Sequence, residues 1–165
     1  METFGVLLEQ QIPRLRRYAL ALARDRARAD DLVQDCLLRA LEKSHLWEPG
    51  TNLRAWLFTI LHNQHVNAVR RRMREGMTVP VEDTPLPVTV PPPQESVCQL
   101  AAVDRAMAML PHEQRATLLL IGLEGFSYEE AAAILRVPVG TIRSRLSRGR
   151  AMLRDLLDAE AAAAA

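Results

Sequence analysis

A chain of 165 residues, 48 % apolar and with a formal net charge of +1, is long enough for one globular domain or two small helical ones. Aromatics make up only 4 % of it and runs of Val, Ile and Tyr are absent, which argues against a large sheet protein. The two cysteines, Cys36 and Cys98, give neither a disulfide framework nor a zinc spacing. No secretory leader is visible, and no apolar run approaches the ~18 residues that span a bilayer. No membrane insertion and a cytoplasmic setting are therefore expected.

In chain order, residues 4–24 repeat Val6, Leu7, Ile12, Leu15, Tyr18, Ala19 and Leu22 at helical spacing, with Pro13 as a start or kink. A second helix carries the stripe Leu32, Val33, Cys36, Leu37, Ala40 and Leu41. Asp30, Asp31, Gln34 and Asp35 form an acidic, polar surface at its start. Those acids suit either the positive end of a helix dipole or a protein-docking surface. Glu48 to Asn52 has the residue types of a loop.

The third helix, from Leu53, has an apolar face of Trp56, Leu57, Ile60, Leu61 and Val66. Its polar face carries His62, Asn63, His65, Asn67, Arg70, Arg71 and Arg72. Amides read base edges and arginines hold phosphates, but cations also simply favour a helix C-terminus. His62 and His65 alone make no metal site, because no carboxylate or cysteine of this helix completes the ligand set.

Residues 74–96 hold six of the ten prolines and no sustained apolar period. They predict an extended linker, which at ~3.1 Å per residue spans some tens of ångströms. From residue 97 the helical period returns with Leu100, Val103, Met107 and Leu110, stopped by Pro111. A helix from His112 closes at Gly125.

Phe126 to Arg150 then predicts two short helices joined by a tight turn. Ser127 caps the first, ahead of Glu129 and Glu130. Pro138 ends it, and Gly140-Thr141 leads into a basic helix. That helix sets Arg143, Arg145, Arg148, Arg150 and Arg154 around the stripe Ile142, Leu146 and Leu153, with no acid between Thr141 and Arg154. A basic second helix after a short turn suits the DNA major groove. A helical hairpin with a solvated arginine face fits the same pattern. No nucleophilic triad, paired-carboxylate site or phosphate-binding glycine loop is present, so neither an enzyme nor a cofactor is expected.

Together these segments resemble an extracytoplasmic-function (ECF) sigma factor of the bacterial sigma-70 family, over nearly the whole chain. DLVQDCLLRAL resembles the polymerase-docking helix, and NLRAWLFTILHNQHVNAVRRRM the helix that handles the promoter −10 element. LPHEQRATLLLIGLEGFSYEEAAAILRVPVGTIRSRLSRGRAML resembles the domain that reads the −35 element. The wording of both halves is nearest to the general-stress-response type.

The resemblance implies an all-α chain. A sigma-2-like domain would span residues 1–73 and a linker 74–96. A sigma-4-like domain with the helix-turn-helix would span 97–158, ahead of an alanine-rich tail, 159–165. It implies that Asp31, Leu32, Gln34 and Asp35 grip the β′ clamp helices of core RNA polymerase, and that the second domain meets the β flap. The loop Ser44 to Asn52 would hold a flipped base. His62, Asn63 and Asn67 would face −10 DNA, with Arg70 and Arg71 on phosphates. Arg143, Ser144, Ser147 and Arg148 would enter the −35 groove, with Arg145 and Arg150 on phosphate or in packing. An anti-sigma factor is an expected partner. Two departures stand out: Ala131 replaces the usual isoleucine, and Arg136 stands where such turns often carry glycine. A left-handed Arg136 would cost roughly 1 kcal/mol.

Overall fold

Helix caps divide the chain where turn chemistry predicts. The computed structural model describes residues 3–76 and 94–165. In the first group, α1 spans Phe4–Ala23, α2 Arg26–Glu42 and α3 Leu53–Arg74, with a short 3-10 turn at Ser44–Leu46. In the second, α4 spans Gln94–Met109, α5 His112–Leu118, α6 Tyr128–Leu135 and α7 Val139–Ala163, with a π-helical turn, Leu119–Leu123, after α5. No strand occurs among the described residues. The body of the proline-rich linker lies outside the described residues. Its ends are helical, since α3 reaches Arg74 and α4 starts at Gln94.

Each start has a local cause. Asp25 caps α2 by accepting from the Arg28 N–H, and Asn52 caps α3 by accepting from Ala55. Ser127 and Glu130 form a reciprocal capping box on α6. Pro13 sits inside α1 rather than at its start. The alanine tail continues α7 to Ala163 instead of forming a separate segment.

The first group buries Leu15, Tyr18 and Leu22 of α1 against Val33 and Cys36 of α2 and Leu57, Phe58 and Leu61 of α3. In the second, α5 lies across α7, where Gly149 permits close approach. A Cβ there would stand 3.0 Å from Leu118 Cδ1. Ile142 and Leu146 complete that core. On α4 the expected stripe holds only at its C-terminal end: Leu100 and Val103 are exposed, while Met107 packs against the core and Leu110, just past α4, is buried with Ala106 and Ala108.

The two groups close on one another, and their cores are continuous. Phe58 packs on Tyr18 and, edge to face, on Phe126, both at 5.0 Å between centroids. Such aromatic pairs contribute about 0.5–1.5 kcal/mol beyond the area they bury. The Arg54 guanidinium lies 4.0 Å over the Phe126 ring, and its NH2 donates to the Glu124 carbonyl. Around this apolar seam run polar links. Arg17 donates to Glu124 at 3.0 Å, Asn52 to Glu130 at 2.7 Å, and Arg24 grips Asp104.

Candidate nucleic-acid and polymerase interfaces

Asp25 starts α2 more than a turn before its acids, so none lies in the first turn. Helix-dipole placement therefore does not explain Asp31 and Asp35. Both are exposed, as is Gln34. Leu38 and Leu41 stand out of the same helix at 60 % and 52 % exposure, and Leu46 follows at 61 %. Acids bordering exposed leucines make this a mixed acidic and apolar face. Leu32 does not belong to its outer face. It is 7 % exposed and faces the core, because helical spacing puts it on the side of Val33 and Cys36. Leu38 belongs to the exposed face, and its signal in the sequence is the Leu37-Leu38 doublet, only one of which can face inward.

The polar face of α3 divides in two. Asn67, Arg70 and Arg71 are exposed and Asn63 is half-buried, while Arg71 pairs with Glu75 at 3.1 Å. His62 is turned inward. It is 7 % exposed, and its Nδ1 lies 3.4 Å from the Tyr18 hydroxyl. In this arrangement it cannot present an edge to DNA. Burial, with His112 and Arg145 nearby, holds its pKa down to about 4. Asn63, Asn67 and Arg70 open into a cleft of ≈ 870 Å³ between the groups. Its opposite wall is His112, Glu113, Arg136 and Arg145, so the second group roofs the face that the sequence assigns to −10 DNA.

The loop before α3 is set by its own bonds. Thr51 Oγ1 donates to the Glu48 carbonyl at 2.7 Å, and Gly50 takes φ +91, a region open to glycine. Trp47 packs on Phe4 at 5.3 Å.

α6 and α7 make the helix-turn-helix. The turn is left-handed at Arg136, with φ 55 and ψ 48, and its N–H donates to the Ala132 carbonyl. The strained turn anticipated there is present, on a residue other than glycine. Pro138 caps α7 through its carbonyl, which accepts from Thr141 at 3.0 Å and Ile142 at 3.3 Å. Arg143, Ser147, Arg148, Arg150 and Arg154 are all exposed on α7, and Tyr128 of α6 borders this row. Ser144 is half-buried and donates to the Thr141 carbonyl at 3.0 Å. Arg145 lies on the other side of the helix, half-buried and 3.4 Å from Glu113, so it faces α5 rather than the arginine row.

Residues 8–62 match the family described as the Sigma2 domain of PhyR, and residues 100–153 match sigma-70 region 4. The chain is 44 % identical over 150 residues to the ECF RNA polymerase sigma factor EcfG of Rhodopseudomonas palustris (strain TIE-1), covering 88 % of this chain and 80 % of that one. Among solved structures it resembles the Bartonella quintana sigma factor RpoE in its complex with the anti-sigma factor NepR. The TM-score is 0.78 and the identity 42 %, over 94 % of this chain and 96 % of that one. It also resembles CnrH bound to the cytosolic domain of CnrY, with TM-score 0.68 and 28 % identity over 94 % and 88 % of the two chains. Two sigma domains in order, a helix-turn-helix with an exposed arginine row, and this degree of identity together place the chain among the ECF RNA polymerase sigma factors, proteins that direct core RNA polymerase to promoters and initiate transcription.

Proposed function

We propose that the two helical groups divide the work of initiation. The first, residues 1–73, docks on the β′ clamp helices through Asp31, Gln34, Asp35 and the exposed leucines of α2. It holds the opened −10 strand with Asn63, Asn67, Arg70 and Arg71. The second, residues 97–158, sets Arg143, Ser147 and Arg148 in the −35 major groove, with Ser144 at the helix start and the β flap as its polymerase contact. Arg145 acts in packing and on backbone phosphate. His62 joins the −10 face only when the groups separate.

One observation carries this reading: a bare acidic-apolar face on α2 and a bare arginine row on α7 lie on different helical groups. Two tethered contacts of modest strength combine through effective concentration. The protein works by binding, without catalysis, in the cytoplasm. No helix among the described residues is long and apolar enough to cross a membrane. An anti-sigma factor that covers these faces is the expected regulator, in keeping with a general-stress-response role. Run-off transcription with purified core polymerase tests the assignment. Arg143→Ala with Arg148→Ala should lose −35 recognition, by about 1–3 kcal/mol per base contact, with polymerase binding intact. Asp31→Arg with Asp35→Arg should lose polymerase binding first. Failure of both pairs at the same step would refute the division.

A further inference from the structure

Three imidazoles meet where the helical groups close. His62 and His65 lie one turn apart on α3, and His112 opens α5. The His112 ring is 6.0 Å from that of His62 and stacks on that of His65 at 5.0 Å, with 16° between planes. The two α3 rings are 7 % and 3 % exposed. His65 Nδ1 and His112 Nε2 are buried without a hydrogen-bond partner. Stacked rings do not aim their nitrogens at a common point, and among the described residues no cluster fits a metal ion.

The groups facing these rings are mostly cations. Tyr18 of α1 meets His62, with Glu124, just after the π turn, near Tyr18. Arg39 of α2 and Arg70 of α3 share the cleft wall with His62, and Arg72 lies near His65. From α5 come Glu113 and Arg115, the latter beside the Arg24–Asp104 pair. Arg136 at the end of α6 and Arg145 of α7 complete the shell. Of the acids, Glu113 is 69 % exposed, and Glu124 is engaged by Arg17. An added proton thus finds little compensation. Burial first, and neighbouring positive charge second, hold His62 at about 4 and His65 at about 3, and keep His112 below its ordinary value. The cleft brings solvent to His62 and His112.

We propose that the His62–His65–His112 stack is a proton-operated latch, which when neutral holds the two helical groups closed over α3 and when protonated releases them. Separation returns the rings to water and to an ordinary value near 6.5. Opening therefore takes up protons below that pH, and each ring shifts the open-to-closed ratio up to tenfold per pH unit. His62 and His65 acting together shift it by as much as about a hundredfold per pH unit, and His112 adds in the same direction. That opening frees Asn63, Asn67 and Arg70 for DNA rests on the proposed function; the opening itself does not.

The test uses the whole chain, without polymerase or DNA. Small-angle scattering from about pH 8 to pH 5 should show a compact particle that expands below about pH 6, while circular dichroism keeps its full helical signal. His65→Phe with His112→Phe keeps the rings and removes the protons. It should stay compact at least one pH unit lower. A wild type that remains compact at pH 5, or a double variant that expands with it, overturns the latch. Should the variant not fold, imidazole proton resonances of the wild type decide: His62 and His65 should be neutral at about pH 6 in the compact form. A ring titrating near 6.5 while the particle stays compact also overturns it.

Discussion

Arg24 closes its guanidinium on the Asp104 carboxylate at 2.8 and 3.1 Å, and its NH1 also donates to the Asp104 carbonyl at 2.9 Å. Arg24 is the left-handed C-cap of α1, at φ 54, and its own N–H donates back to Leu20. The end of the first helix is thus fastened to α4 across 80 residues of sequence. A two-pronged arginine–carboxylate contact is directional, and at 9 % and 22 % side-chain exposure it is partly shielded from water. Together with the Phe58–Phe126 contact it fixes how the helical groups face one another.

A double-mutant cycle measures this fastening. Arg24→Ala and Asp104→Ala, singly and together, should show a coupling of about 1–3 kcal/mol in urea unfolding. The left-handed backbone keeps a Cβ in both forms, so its strain cancels. A coupling below about 0.5 kcal/mol would mean that the groups do not hold this contact in solution.

The cap on α6 is a local device with a local cost. Ser127 Oγ accepts from the Glu130 N–H at 3.1 Å, and Glu130 Oε2 accepts from the Ser127 N–H at 2.8 Å. Ser127→Ala should lower stability by about 1 kcal/mol. Glu130→Ala should cost more, because it also loses the 2.7 Å bond from Asn52. Thermal unfolding of the two variants, ranked against the wild type, checks the order.

Features made by neighbours in sequence were legible, and features made by distant pairs were not. The capping box and the arginine row are set within a turn or two of their residues, whereas α6 ends at Leu135 on the left-handed Arg136 and Pro138, expected to stop it, instead caps α7. The phase of α2 was half legible. Its period located Leu32, Val33 and Cys36 in the core but put Leu41 inside, and it was the family resemblance that set Leu32 on the docking face. The structure buries Leu32 and exposes Leu41. The inward turn of His62 was hidden because it depends on Tyr18 and His112, residues 44 and 50 positions away. No periodicity reports a seam such as Phe58–Phe126.

Arg136 carries backbone strain that its neighbours maintain. It is left-handed at φ 55, exposed, and makes its turn with the N–H rather than the side chain. Arg136→Gly removes the Cβ clash and should stabilise the second group by about 0.5–1 kcal/mol, part of the gain being offset by a freer unfolded chain. A fall in stability would assign the Arg136 side chain a holding role in the cleft. Denaturant midpoints at constant slope give the answer.

The two cysteines should separate cleanly by reactivity. Cys36 is fully buried, its Sγ donates to the Leu57 carbonyl at 3.4 Å, and burial pushes the thiol up to about 12. At pH 8 only about one molecule in ten thousand then carries the thiolate. Cys98 is exposed. A disulfide reagent should titrate one thiol quickly in the native chain and the second only on unfolding. Two fast thiols would show that α2 does not pack as described.

Stability should fall with acid in a window set by the buried histidines. Their folded values, about 4 for His62 and about 3 for His65, lie below the ordinary 6.5. Between these limits the unfolded chain binds more protons than the folded one, so stability is full above 6.5 and is lost as pH falls toward 4. From pH 7 to 6, where the groups stay closed, the two rings together remove about 1–1.5 kcal/mol, and free carboxylates, titrating near 4, add little there. Urea unfolding at the two pH values measures the loss. His65→Phe should reduce it by about half whatever it does to absolute stability, because only the pH-dependent part belongs to the proton. Equal losses in both proteins would mean that His65 is solvated in the folded chain and that α3 and α5 do not meet there.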